Sequence, residues 1–325
     1  MNEEFKGVNF SYTRFIFVGF PEISDYKHLL FFPFFITYIL GLAGNSLLLF
    51  VIKTSESLHS PMYILISGLA MVNIVVPTAI VPNMLLSFLF DLNEISLAGC
   101  LTQMFFTHFF SSVESTILLA MALDRLIAIC NPLRYADIMN ASAFIKLAAF
   151  MLVRSGSIMS ALVILARPLA FCRSNVIKHC YCDHMALVSL ACDSTAKNNV
   201  MGLAVIISFV GIDISVIVFS YIRILNAVLQ AAEDRWKAFH TCGTHLIVML
   251  CFYLVGSVTF LSHNLGITMP TGVNTFLGVL YIIFPATVNP IIYGVRTKEI
   301  RNCILKMFRK RGSKVFTVKV STVKA

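Results

Sequence analysis

The chain has 325 residues, 58% of them hydrophobic and only 13% charged, with a mean hydropathy of +0.84 and a net charge of +9. A soluble domain carries roughly twice that share of charge, so apolar residues this abundant exclude a single water-soluble core and point to lipid as the solvent. The basic excess does not indicate nucleic acid. It crowds the C-terminal tail (Arg296, Lys298, Arg301, Lys306, Arg309, Lys310, Arg311, Lys314), directly after a hydrophobic segment and without any base-reading motif, as suits anionic cytoplasmic lipid.

Residues 1–28 lack a basic start followed by a long apolar core, so no cleaved signal peptide is expected and the first span serves as its own insertion signal. Asn9-Phe10-Ser11 is a glycosylation sequon, useful only on the lumenal side. Seven stretches then reach spanning length: 29–52, 62–89, 98–123, 143–165, 199–222, 239–261 and 273–294. The fourth carries Lys146 near its start and Arg154 inside it; Lys146 can snorkel, whereas Arg154 must face protein or a headgroup. Outside the tail, basic residues divide evenly between the two faces, seven each, so the tail sets the orientation: N-terminus outside, C-terminus in the cytoplasm. The predicted organisation is an extracellular segment 1–28, a transmembrane domain 29–294 and a basic cytoplasmic tail 295–325.

Segment 166–197 concentrates Cys172, Cys180, Cys182 and Cys192, and Cys100 opens the third span on the same outer side, which fits an oxidising compartment. Five cysteines cannot all pair, and spacing alone leaves their connectivity open. The run HCYCDH, residues 179–184, also offers metal donors, but a disulfide at Cys182 removes one thiolate ligand; we read it as a disulfide-bonded loop, with no cofactor.

Several motifs occur together: Gly44-Asn45, SPMYILISGLA (60–70), MALDRLIAICNPLRY (121–135), HCYCDHMALVSLAC (179–192), KAFHTCGTHL (237–246) and PATVNPIIYGVRTKEIR (285–301). As a set and in this order they resemble the olfactory receptors, rhodopsin-like G-protein-coupled receptors, and most closely their class I, fish-like branch. The resemblance implies an all-α seven-helix transmembrane bundle with disulfides Cys100–Cys182 and Cys172–Cys192, leaving Cys180 over. It implies a receptor for a small odorant that activates a stimulatory heterotrimeric G protein and raises cyclic AMP. Leu123, Leu126 and Asn73 depart from the family, which usually has tyrosines at the first two positions and an aspartate at the third. The family pairs that aspartate with Glu114 as a sodium site, so with Asn73 a weaker cation site is expected.

Under this topology Asp124 and Arg125 sit where the third helix meets the cytoplasm, as a latch that frees the guanidinium for the C-terminus of a docking helix. Pro290 in Asn289-Pro290-Ile291-Ile292-Tyr293 removes an amide donor and kinks the seventh helix, so that Tyr293 swings towards the third; Tyr221 belongs to the same switch. Ile300, Ile304, Met307 and Phe308 share one face of a short helix suited to the inner leaflet, with Cys303 a candidate for palmitoylation.

The ligand pocket is expected in the outer half of the bundle. Helical spacing places Met104, Phe105, His108, Ser111 and Ser112 on one face of the third helix. Gly202, Val205, Ile206 and Phe209 face them from the fifth; Tyr253, Gly256, Ser257 and Phe260 from the sixth; Thr275, Val279 and Ile282 from the seventh. That lining suits a small, mostly hydrophobic molecule with one or two polar atoms. Glu114 lies about 9 Å along the helix from His108, too far to bind an amine there. The competing reading is a transporter or channel, which calls for paired midplane charges and internal repeats. An enzyme is not expected: no Ser-His-Asp set or HExxH motif occurs.

Overall fold

The computed structural model describes residues 10–230, 243, 245–250, 252–258 and 269–307. Its frame is α1 (Lys27–Thr54), α2 (Pro61–Phe90), α3 (Leu97–Cys130), α4 (Ala141–Ala166), α5 (Ala196–Gln230), α6 (His245–Val258), α7 (Thr271–Arg296) and α8 (298–307). Of these, α1, α2, α4, α5 and α7 are long and apolar enough to cross a membrane, and α3 and α6 pack among them to complete a seven-helix bundle.

Local chemistry sets the helix ends. Pro61 occupies the first turn of α2, where a missing N–H costs nothing. Ser96 caps α3 by accepting from the Gly99 amide at 3.1 Å, and Asn140 caps α4 by accepting from the Ala143 amide at 3.0 Å. The third helix runs seven residues past its predicted end, because Asp124 is buried and Arg125 half-buried inside it. It stops at Asn131, which Pro132 forces out of helical geometry.

α3 is the central post, packed against α2, α4 and α5, while α1 lies against α2 and α7. The main core runs between them through Ile66, Leu69, Leu118, Met121 and Tyr293. Gly44 lets α1 approach α7 closely, since a β-carbon there would lie 2.9 Å from the Pro290 ring. Beside it, Asn45 donates to the carbonyls of Gly41 and Ala286 at 2.8 and 2.7 Å.

One end of the bundle carries both disulfides and a small sheet that the all-α reading did not anticipate. Strand β1 (Arg14–Phe17) pairs antiparallel with β2 (Glu94–Ser96) and parallel with β3 (Val176–Ile177), with Arg14 opposite Ser96 and Ile16 opposite Val176. Phe15 faces inward, fully buried, edge-on to Phe171 at 5.4 Å. At the opposite end α8 folds back on the core: Ile300 is buried, and Cys303, Ile304 and Met307 pack beside it.

Candidate ligand cavity and switch residues

A cavity of about 50 Å³ lies between α3, α4, α5, α6 and α7. His108, Ser111 and Ser112 enter it from α3, Val205, Ile206 and Phe209 from α5, and Tyr253, Gly256 and Ser257 from α6, all positions that helical spacing predicted. Most of its wall is apolar, with the imidazole and the hydroxyls as the polar exceptions, which suits a small hydrophobic molecule oriented by one or two hydrogen bonds.

Other predicted lining residues lie elsewhere. Met104 is fully buried against the Cys100–Cys182 disulfide cluster. Phe105 stacks on Phe109 at 5.7 Å. Gly202 packs against His184 and Met185, and Thr275, Val279 and Ile282 are buried in α7. The seventh helix turns Tyr281 rather than these three towards the cavity. Phe260 and Asn9 lie outside the described residues.

Sequence reasoning missed Ser115, Met159, Val210, Phe252 and Tyr281. Two of these left a signal. Ser115 continues the 108, 111, 112 stripe at helical spacing. Met159 belongs to the Ser155, Met159, Leu162, Ala166 stripe, the buried face of α4.

The floor of the cavity is polar and spans four helices. Ser115 donates to Asp213 Oδ2 at 2.7 Å, and its hydroxyl meets that of Tyr253 at 2.9 Å. Arg154 Nη2 donates to Asp213 Oδ1 at 2.8 Å and to the Ser208 carbonyl at 2.6 Å, and its guanidinium lies 4.3 Å from the Phe209 ring centre. Arg154 therefore faces protein, and its partner is the buried carboxylate of Asp213. The π-helical turn Ile207–Ile212 sits within this contact region.

At the end away from the disulfides, Asp124 is fully buried. Arg125 Nη2 approaches its Oδ2 at 3.1 Å, an ion contact, while its Oδ1 accepts from the Tyr135 hydroxyl at 2.7 Å. Tyr293 is also fully buried, 5.7 Å from the His245 ring. Tyr221 packs on both the main core and the Ile224–Val228 cluster. Deeper in the bundle, Glu114 Oε1, Asn73 Nδ2 and both polar atoms of the Asn289 side chain are buried without a hydrogen-bond partner among the described residues.

The disulfides Cys100–Cys182 and Cys172–Cys192 are formed, with Cα separations of 5.3 and 5.7 Å. The first ties the 166–197 loop to the start of α3, and the second closes the loop on itself. His179 is buried there and Asp183 half-buried, and among the described residues no group of three donors could hold a metal.

The olfactory receptor family model matches residues 34–311. The chain belongs to the olfactory receptor family. It is 41% identical over 300 residues to human Olfactory receptor 52K1, covering 92% of this chain and 96% of that one. It is 40% identical over 303 residues to rat Olfactory receptor 51E2, covering 93% and 95%. These relatives agree with the class I reading. A crystal structure of squid rhodopsin superposes with a TM-score of 0.69 over 90% of each chain at 17% identity, which shows the shared bundle. This olfactory receptor is thus a multi-pass membrane protein that senses a small molecule and signals through a G protein, rather than an enzyme.

Proposed function

We propose that the cavity between α3 and α7 is the odorant site, and that its occupancy is relayed to a stimulatory heterotrimeric G protein that raises cyclic AMP. The N-terminus and disulfides lie outside the cell, the tail in the cytoplasm. The observation that carries this reading is the continuity between the cavity and its floor. Ser115, Phe209 and Tyr253 line the cavity, and Ser115 and Tyr253 also belong to the hydrogen-bonded set that ties α3, α5 and α6 to Arg154 of α4. A ligand that touches Tyr253 or Ser115 changes the partners of a buried charge, and so biases the packing of four helices.

Asp124, Arg125, Tyr221, Asn289, Pro290 and Tyr293 form the switch at the cytoplasmic end. Release of Asp124 leaves Arg125 free to meet the carbonyl-rich end of a docking helix. Glu114, with Asn73, is a candidate for a weakly held sodium ion, which would give the orphaned Glu114 Oε1 a partner. Lipid contacts α8, whose buried edge leaves Lys298, Arg301 and Lys306 exposed. Cells expressing the full chain with the stimulatory G protein should raise cyclic AMP in response to a volatile from a panel of small hydrophobic compounds. Arg125→Ala should abolish that response at unchanged surface expression. A ligand-driven ion current without G protein would instead favour a channel.

A further inference from the structure

A second cavity, of about 190 Å³, lies under the N-terminal segment and shares no lining residue with the first. Its roof is Phe17–Pro21. The Phe17 and Val18 amides donate to the carbonyls of Asn93 and Ile177, both at 2.9 Å, and Glu22 accepts from the Gly272 amide at the start of α7 at 3.1 Å. The roof is therefore fastened at both ends. Its floor is the last turns of α2, where Asn83, Met84, Ser87 and Phe88 follow one helical face. Phe20 stacks towards Phe34 at 6.4 Å and leans on Phe88 at 6.1 Å. Cys180 closes the inner wall, and Gly19 is needed opposite it because any β-carbon there would collide with the sulfur.

The wall has a definite chemistry. Three phenylalanines and a methionine supply apolar contact, and Ser24, Ser87, Asn83 and Asn93 supply hydroxyl and amide donors. Lys27 is the one charged lining residue among those described, and its ammonium is already paired with Asp91. Burial pushes the Cys180 thiol up to about 12, so that wall too is uncharged. We infer that this cavity is a second small-molecule site, and that it takes a neutral compound with an aromatic or compact alkyl body and one hydrogen-bond acceptor. The fit follows from the aromatic lining, the neutralised lysine and the amide donors of Asn83 and Asn93. The inference does not depend on what occupies the first cavity.

A matching probe is 4-azidoacetophenone, a neutral aryl ketone that crosslinks to its surroundings under light. The full-length receptor in lipid nanodiscs is photolabelled, digested and mapped by mass spectrometry. Adducts are expected on the peptides bearing Phe17–Phe20 and Met84–Phe88, and they should disappear with excess acetophenone. Ser87→Trp, or Asn83→Phe should the first variant fold poorly, should remove them by filling the cavity. Val205→Trp, which fills the first cavity, should leave them in place. The inference is overturned if those peptides carry no adduct that acetophenone competes away, or if the adducts survive both filling substitutions. Adducts on the peptide bearing Ser111–Ser115 report on the odorant site separately, so the two readings fail independently.

Discussion

The guanidinium of Arg154 in α4 holds both carboxylate oxygens of Asp213 in α5, at 2.8 and 3.2 Å, with Asp213 fully buried. Removing one member of such a pair strands the other charge in a low-dielectric interior, at a cost of roughly 3–5 kcal/mol, whereas replacing both by apolar residues is often close to neutral. Arg154→Met and Asp213→Leu should each lower the thermal midpoint of the purified receptor sharply. The double variant should recover most of that loss. A double variant as unstable as the sum of the two singles would mean that the residues act separately.

Gly256 sits against the Tyr281 ring, where an added β-carbon would come within 2.8 Å. Gly256→Ala should push that ring into the first cavity, which it lines. A change of about one methylene in an apolar pocket alters discrimination by roughly 10- to 200-fold. In a cyclic AMP dose series the larger agonists should therefore lose potency by about that factor while the smallest are spared. A uniform loss across sizes would argue that Tyr281 yields in another direction.

His179 is 2% exposed, its Nδ1 accepts from the Cys180 amide at 3.0 Å, and its ring packs edge-on to Tyr181. Burial holds its pKa down to about 4, with Asp183 partly opposing the shift. The folded value lies below the unfolded one, so the neutral form is favoured. Stability is whole above about pH 6.5 and declines as pH falls towards 4. The loss near pH 5 should be roughly 2 kcal/mol, seen as a falling thermal midpoint. Burial pulls the Asp183 carboxyl up, but the nearby His179 and His108 and the Ala186 amide hold it below its ordinary value, so its own contribution is lost only as pH falls through and below the ordinary carboxylate range. His179→Gln should flatten the profile between pH 7 and 5; an unchanged slope would move the acid sensitivity elsewhere.

Tyr135 anchors Asp124 with a 2.7 Å hydrogen bond, better directed than the ion contact to Arg125. Tyr135→Phe removes a hydrogen bond to a charged group, worth roughly 1.5–3 kcal/mol, without touching the Asp–Arg pair. If that bond steadies the resting latch, ligand-free cyclic AMP should rise severalfold at equal surface expression. A fall in both basal and stimulated signal would instead make Tyr135 part of the coupling surface.

Much of the architecture was legible because it rests on local rules. Apolar runs of spanning length announced the helices, Pro132 announced the end of α3, and the 108–111–112 stripe announced one wall of the cavity. What stayed hidden depends on which helices become neighbours. Arg154 and Asp213 are 59 positions apart, and nothing in either span says that the other will face it. Helical spacing gives a face but not its azimuth against a partner, so α7 presents Tyr281 where Thr275, Val279 and Ile282 were expected. The strand Arg14–Phe17 is four residues long, too short for an alternating pattern to stand out.

That strand has a consequence for biosynthesis. Phe17 pairs with Ile177, 160 positions later, so the central strand of the sheet waits through about half of translation for its parallel neighbour. The cap is completed only after the fourth helix has been made. An antibody raised against the paired strands would therefore discriminate chains that have joined their first and fourth-helix ends from those that have not.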